Sequence, residues 1–532
     1  FAFFLACAVA FSSVACAPTD PDPTSSDTKS SSMESDEPQD LAFARYDTEV
    51  VIRQGRDSSH PAGAGWILDD NPITDIFKEV LNVRLVNEWE LTGDEYTQKV
   101  QLSIATGDLP DIMVVTSWAL VREMFEKGLI EDMTATQSSF SDRLNDIYSS
   151  YTENRNLESV TFNGQLSAIP STNLGGQHEI LWIRRDWLEE LGLDMPRTLQ
   201  DVLDTARAFI EQDPNNTNRD DTIGIPLFSD LLGVHNTLYT VDPILSIFNA
   251  FPRKFMFDEG GNVFYGSTTP EMKVALTRIT ELVRSGVISL DPDMGDALVL
   301  NECGMFFGPW WSVWSHLWGA RQNNRHADWI PYSAPVNDDG KLVDVYPQPN
   351  NAFLVVRKGF AYPEAAVRCL NITYGLYNQD FHIPELAPYD EINKDLPQNF
   401  MAWPIPLQLE REDLLLLQSQ RLQQALDDES DEVLLGPEKR VYENMVNYFL
   451  DKTQCSTTDW AETVAKLKGS REAFRDYVGI EPAIHALTPE MVEIYDPLLE
   501  MEIELFQQIL RGEQPVDAFD QFVTQWKSMG GD

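Results

Sequence analysis

Apolar and polar positions along the chain fall into short runs that change period from two to about 3.6 and back. TEVVIRQ (48–54) is centred on apolar, β-branched residues and predicts a strand. PITDIFKEVLNVRLV (72–86) predicts a helix entering a second strand. EYTQKVQLSIATGDLPDIMVV (95–115) reads as a helix, a Gly/Pro turn and a buried strand; REMFEKG (122–128) is a helix stopped at Gly128. HEILWIRRDWLEELGL (178–193) predicts a strand and then a helix ending at Gly192. In RTLQDVLDTARAFIEQ (197–212) Thr198 is placed to cap an amphipathic helix, with Asp201 three residues on. TPEMKVALTRITELVRSGVI (269–288) predicts a further amphipathic helix with Gly286 at its end. NAFLVVRKG (351–359) reads as a strand, PEAAVRCLNITYGLY (363–377) as a helix, and the last third as helical and acidic. A repeated β-α-β-α order predicts an α/β fold with a largely parallel sheet.

The first residues do not belong to that pattern. FAFFLACAVAFSSVAC (1–16) is apolar, uncharged and too short to span a bilayer, as expected of the hydrophobic part of a signal peptide whose basic start is missing. Cys16 follows Ser13, Val14 and Ala15, which resembles a bacterial lipobox with Ser where Leu is usual; Cys7 is a second candidate. Residues 17–47 are polar, acidic and rich in Pro and Ser, a composition that cannot bury a core. The organisation expected is a signal and lipobox (1–16), a disordered acidic tether (17–47) and a folded region (48–532). Acylated Cys16 would hold the protein on the outer face of a membrane by a lipid anchor alone. The alternative is a cleaved secretory signal in which Cys16 has no role.

Length and composition narrow the class. A chain of 532 residues with 43% hydrophobic residues has material for about two to four domains, or for two large lobes. Its formal net charge of -46 repels nucleic acid and anionic headgroups, so neither is an expected partner. Cys303, Cys369 and Cys455 are odd in number and widely spaced, and read as buried free thiols. No G-x-S-x-G, H-E-x-x-H or P-loop occurs. The 85 Asp and Glu leave open a catalytic carboxylate pair, so a secreted glycoside hydrolase is the enzymatic alternative. A surface adhesin is a third reading, against which the two-lobe pattern argues.

DPNNTNRDDTIG (213–224) has the spacing of a calcium loop. Asp213, Asn215, Thr217 and Asp221 stand at positions 1, 3, 5 and 9, and Arg219 would offer its backbone carbonyl. Gly224 stands where an EF-hand places a bidentate Glu. The competing reading is an Asx-rich turn after a helix.

Several stretches, in order, resemble the family-1 extracellular solute-binding proteins of bacterial ABC importers, in the lipoprotein branch that serves oligosaccharide uptake. They are LSIATGDLPDIMVV, FNGQLSAIPS, LWIRRDWLEELGLDMPRTLQDVL with the loop after it, YGSTTPEMKVALTRITELVRSGVI, GMFFGPWW, VVRKGFAYPEAAVRCLN and the terminal WKSMGGD. The resemblance implies an α/β clamp of two lobes with several crossovers and a ligand cleft between them, no enzymatic activity, and a monomer that delivers its ligand to the transmembrane permease subunits. It also implies a structural calcium, with the missing ligand supplied by a carboxylate from elsewhere. Thr217 departs from the usual Asn or Asp, and Asn218 from the usual Gly, although Asn tolerates a left-handed backbone.

A cleft for sugars needs aromatic rings against C–H faces and polar groups for the hydroxyls. Trp310 and Trp311 follow Gly308-Pro309 in an expected loop and are the leading candidates. Trp314 and Trp318 are four apart and read as core. Trp403, Trp66, Trp118 and Tyr239 are further aromatic candidates, with Arg184 and Asp70 as hydrogen-bonding partners; Arg184 reads equally as a surface ion pair.

Overall fold

A computed structural model describes residues 41–60, 66–173, 178–230, 232–234, 236–290, 294–333, 335–337, 339–377, 383–395, 400–475, 477–484 and 487–531. The expected signal segment, Cys16 and residues 17–40 of the expected tether lie outside the described residues. Residues 40–532 form one compact unit. Ala42 and Phe43, read from sequence as the end of the tether, are buried in its first core.

Ten of the sixteen strands among the described residues build the lobes' main sheets, in chain order Val50–Asp57 (β1), Val83–Leu91 (β2), Ile112–Val115 (β3), Ile169–Pro170 (β4), Ile180–Arg184 (β5), Ile225–Pro226 (β6), Ile288–Ser289 (β7), Met305–Gly308 (β8), Trp329–Tyr332 (β9) and Phe353–Val356 (β10). The first lobe's sheet runs β2-β1-β3-β10-β4. β1 pairs in parallel with β2 and β3, whereas β10 pairs antiparallel with β3 and β4. In the second lobe β8 and β9 flank β5, both antiparallel. The parallel pair β6 and β7 joins that sheet through a bridge between Ile223 and Cys303. The expected largely parallel sheet therefore holds for only half of each lobe. β10 returns from the second lobe and enters the first sheet head-on, so no crossover helix dictates its direction. Every residue of β5, β8 and β10 is buried, which accounts for their apolar runs, broken only by Arg184 at the end of β5.

Helix ends fall where the sequence signals place them. Thr198 Oγ1 accepts from Asp201 N while the Asp201 carboxylate accepts from Thr198 N, closing a capping box on Leu199–Gln212. Gly192 ends Arg185–Leu191 in the left-handed region, at φ +66°. Cys303, Cys369 and Cys455 are free and buried, as their spacing suggested. Among the described residues no helix is long and apolar enough to cross a membrane.

The first core gathers residues from 42–169 and 353–409; the second gathers residues from 181–342 and 498–526, extended by helices from 414–473. The chain passes between lobes in three segments that lie side by side. Ser171 N donates to Ala352 O (2.7 Å), Asn173 N to Pro349 O (2.9 Å) and Thr172 N to Gln408 O (2.8 Å). Three short hydrogen-bonded connections make a natural hinge. The lobes also meet where Pro489–Leu510 packs near Trp118–Glu126.

Candidate ligand-binding cleft and calcium loop

Between the lobes lies a cavity of about 390 Å³. From the first lobe it is lined by Thr116, Ser117 and Trp118, from the second by Arg253, Lys254, Phe255 and Tyr495, and from a crossing segment by Tyr346 and Gln348. Ser117 caps the helix Trp118–Glu126, its Oγ accepting from Leu120 N, and so fixes Trp118 as the first helical residue. Trp118 Nε1 donates to Ser159 O (2.7 Å) and the ring stands edge-on to Phe162. That leaves the indole half-buried, with one side committed to the lobe. Tyr346 is held by the Arg155 guanidinium, 5.3 Å from its ring centroid, and by an edge-on contact with Tyr477. Tyr495 is braced by Tyr265, which itself stacks on Trp526 at 4.2 Å. A second cavity of about 450 Å³ opens at the end of the first sheet, between Asp57, Tyr96, Asn351 and Phe400, and shares Thr116 with the first.

A buried carboxylate marks the first crossing. Glu179 Oε1 accepts from Asn236 N (2.6 Å) and Thr237 N (3.4 Å). Burial, and then the charge of Asp242, push its carboxyl up to about 7. Asp242 is itself held above the usual carboxylate range by burial and accepts from Gly233 N (2.9 Å). Trp311 joins this network by donating from Nε1 to Asn236 Oδ1 (2.7 Å).

Of the aromatic and polar residues singled out from the sequence, Trp118 alone lines the interlobe cavity. Trp310 is half-buried against a second-lobe core and edge-on to Trp314, which is exposed rather than in the core as its spacing suggested. Trp66 packs half-buried on the first core, and Asp70 is exposed next to it. Three expectations are corrected. Trp403 (1% exposed) packs edge-on to Tyr374 and Tyr377 inside the first core. Tyr239 (0% exposed) is buried with its hydroxyl 2.6 Å from His316 Nδ1. Arg184 (2% exposed) pairs with Asp186 and lies over Trp187. Buried to this degree, none of the three offers surface to a ligand. Phe255, Tyr346, Tyr495, Arg253 and Lys254 were missed. The one local signal was the cationic pair at 253–254 in a chain with 85 acidic and 39 basic residues.

The dodecamer forms a tight loop directly after its helix. Asp213 caps the helix with φ +49°, and Asn216 and Asn218 are left-handed at +57° and +55°, the role expected of Asn in place of Gly. Asp221 Oδ1 accepts from Asn215 Nδ2 (3.0 Å) and Thr217 Oγ1 (2.8 Å), and Asp213 Oδ2 from Asn218 N (2.8 Å). Two oxygens point inward without a hydrogen bond: Asp213 Oδ1, and Asp221 Oδ2, which has only the Arg219 Nε ion pair at 3.0 Å. Gly224 cannot be Glu, because a Cβ there would lie 2.1 Å from Val287 O. A further carboxylate is close instead. Glu302 carries the carbonyl that accepts from Ile223 N, and burial together with the charge of Asp221 raises its carboxyl above the usual range. No three His, Cys, Asp or Glu side chains among the described residues are drawn into a ready metal cluster. The loop's donor set thus mixes carboxylates with amide, hydroxyl and carbonyl oxygens, as a hard, irregularly coordinated cation requires.

A chain described as the S. pneumoniae ABC-transporter substrate binding protein FusA, EF-hand mutant in complex with fructo-nystose, has a similar fold, with TM-score 0.55 at 14% identity over 91% of this chain and 96% of that one. Lipoprotein LipO of Bacillus subtilis (strain 168) is 28% identical over 209 residues, 39% of each chain. Polygalacturonan/rhamnogalacturonan-binding protein YtcQ of the same organism is 25% identical over 196 residues, 36% of each. The chain thus spans about two fifths of the length of these curated relatives. The profile of the family described as bacterial extracellular solute-binding protein matches residues 72–370, more than half of the sequence. With its two mixed-sheet lobes, three crossings and interlobe cavity, the chain belongs to the bacterial extracellular solute-binding protein family.

Proposed function

We propose that this protein captures an oligosaccharide outside the cell, in the cavity between its lobes, and delivers it to the transmembrane permease of an ABC importer. The observation that carries this reading is the lining. Trp118, Phe255, Tyr346 and Tyr495 offer rings for sugar C–H faces, while Ser117, Gln348, Arg253 and Lys254 offer hydrogen bonds to hydroxyls. Ligand bridging the lobes would favour closure about the three crossing segments, and closure would present a shape that the permease recognises. The work is done by binding, with no covalent step. The names of the relatives, which include a protein solved with fructo-nystose and a polygalacturonan/rhamnogalacturonan-binding protein, support a saccharide and leave its charge open. We further propose that Cys16 carries a lipid anchor, in keeping with LipO's being a lipoprotein, and that the protein acts as a monomer.

We also propose a structural calcium in the loop, held by Asp213, Asn215, Thr217, Asp221 and the Arg219 carbonyl, with Glu302 as the completing carboxylate. Two buried oxygens without hydrogen bonds, and a carboxyl raised by burial and then by the charge of Asp221, support it. The ion would tie the end of helix Leu199–Gln212 to the β6–β8 edge of the second lobe and take no part in ligand contact. Thermal-shift screening of the purified protein against a saccharide library tests the capture reading. A saturating ligand at about 100 times its Kd adds about 2.7 kcal/mol. A rise confined to some saccharides is expected; indifference to every saccharide overturns the reading.

A further inference from the structure

The charge of the cavity is opposite to that of the protein. Across the chain, 85 Asp and Glu outnumber 39 Lys and Arg, yet Arg253 and Lys254 line the cavity and no acidic residue does so among the described residues. Resting on the saccharide reading above, we propose that the cavity selects an oligosaccharide bearing carboxylates, that is, uronate residues, over neutral sugars.

Arg253 is built for this. Its backbone is left-handed, at φ +59°, an uncommon conformation for a bulky side chain. The neighbouring backbone holds it there: Arg253 N donates to Ser267 Oγ (2.8 Å), and Gly266 N to Lys254 O (2.7 Å). Gly266 is pressed so close to Phe251 that a Cβ would lie 2.0 Å from its carbonyl oxygen. On its inner side Arg253 Nε faces Glu502 Oε1 at 3.5 Å. Glu502 is fully buried and accepts from Tyr265 Oη (2.9 Å). The Nε contact with Glu502 is an ion pair without a hydrogen bond, and no hydrogen bond engages Arg253 Nη1 or Nη2 among the described residues, so the end of the guanidinium is left for a ligand. A guanidinium whose terminal nitrogens are not hydrogen-bonded suits bidentate recognition of a carboxylate.

Lys254 adds a second cation beside it, and its ammonium has no hydrogen bond or ion pair among the described residues. Among the described residues Glu502 is the carboxylate ion-paired to them, 3.5 Å from Arg253. Burial holds both Glu502 and Asp242 above the usual carboxylate range, although Arg253 and Lys254 draw them down. A neutral sugar filling the cavity would strip water from two cations and return no charge, which costs affinity. A uronate supplies that charge while Trp118 and Tyr346 cover its C–H faces.

Isothermal titration of the full protein with galacturonate and guluronate trisaccharides, and with maltotriose and xylotriose, at low and high NaCl tests the proposal. A uronate is expected to bind about tenfold or more tighter than either neutral sugar, with the gap narrowing as salt screens the contact. A neutral trisaccharide binding as tightly as the uronates overturns the proposal and leaves the saccharide reading standing. No binding by either class overturns both. Lys254→Gln, which leaves the Glu502 contact in place, is expected to cut uronate affinity about tenfold and flatten its salt dependence; Arg253→Gln is expected to do the same where it folds. Unchanged uronate affinity in folded Lys254→Gln overturns the assignment.

Discussion

Removing calcium tests the loop most sharply, because the structure specifies which groups should respond. Burial, and after it the charge of Asp221, raise the Glu302 carboxyl, and the buried oxygens Asp213 Oδ1 and Asp221 Oδ2 make no hydrogen bond, the latter having only its ion pair with Arg219. A divalent ion would satisfy both defects. Extracellular calcium modules bind with Kd of about 10⁻⁴–10⁻³ M. At about 1 mM calcium, linkage then gives a stabilisation of about 0.4–1.4 kcal/mol, rising to about 4 kcal/mol if the site is a thousandfold below the calcium concentration in Kd. Scanning calorimetry in calcium and in chelator reads this as a rise in Tm. The wild type is expected to gain, Asp221→Asn to lose the gain, and Glu302→Gln to retain only part of it. In chelator Glu302→Gln should match or exceed the wild type, because it removes the repulsion without disturbing the Glu302 carbonyl that pairs with Ile223. A full calcium response in Glu302→Gln would refute its role as completing ligand. No response in the wild type would reduce the dodecamer to a turn closed by its own Asn and Thr side chains.

Other outcomes follow from the placement of single residues. Trp118→Ala removes a ring that lines the cavity and should weaken saccharide binding by about 1.5–2 kcal/mol of lost apolar contact, read by titration calorimetry as about a 10- to 30-fold rise in Kd. Trp403→Ala leaves a void in the first core and should cost about 3–5 kcal/mol in urea unfolding; the folded fraction should bind ligand as the wild type does. Glu179→Gln should change how stability depends on pH. With its carboxyl raised from 4.5 to about 7, Glu179 contributes stability that is complete below pH 4.5 and is lost as pH rises through 7. Because Gln does not ionise, the Tm of the variant relative to the wild type should climb between about pH 4.5 and 7 and level off above. A difference that stays flat with pH would contradict the assignment.

What the sequence revealed and what it hid have separate physical causes. Local signals were reliable: the Thr198–Asp201 capping box, Gly192, the apolar run that opens β5 and the fully apolar run of β10 each fix an element from neighbours a few residues away. Strand direction was not local. β10 runs antiparallel to β3 because the chain has returned from the other lobe, and nothing within FLVV records that. The cavity is assembled from residues 116–118, 253–255, 346–348 and 495, so no single stretch carries its pattern. An aromatic residue does not reveal which way it faces. Trp403 and Tyr239 are as apolar as Trp118, and tertiary packing alone makes the first two core and the third a wall of the cavity. The tight turn of residues 213–224 was legible in its spacing, but Glu302 lies far along the chain and is brought near by the bridge between Ile223 and Cys303.

A crystal structure of the protein with its best-binding saccharide would test the capture reading most directly. The expected result is sugar density between the lobes, with rings against Trp118 and Tyr346 and polar contacts to Arg253, Lys254 or Gln348. A saccharide seated away from that cavity, for instance on Trp310 and Trp311, would contradict it.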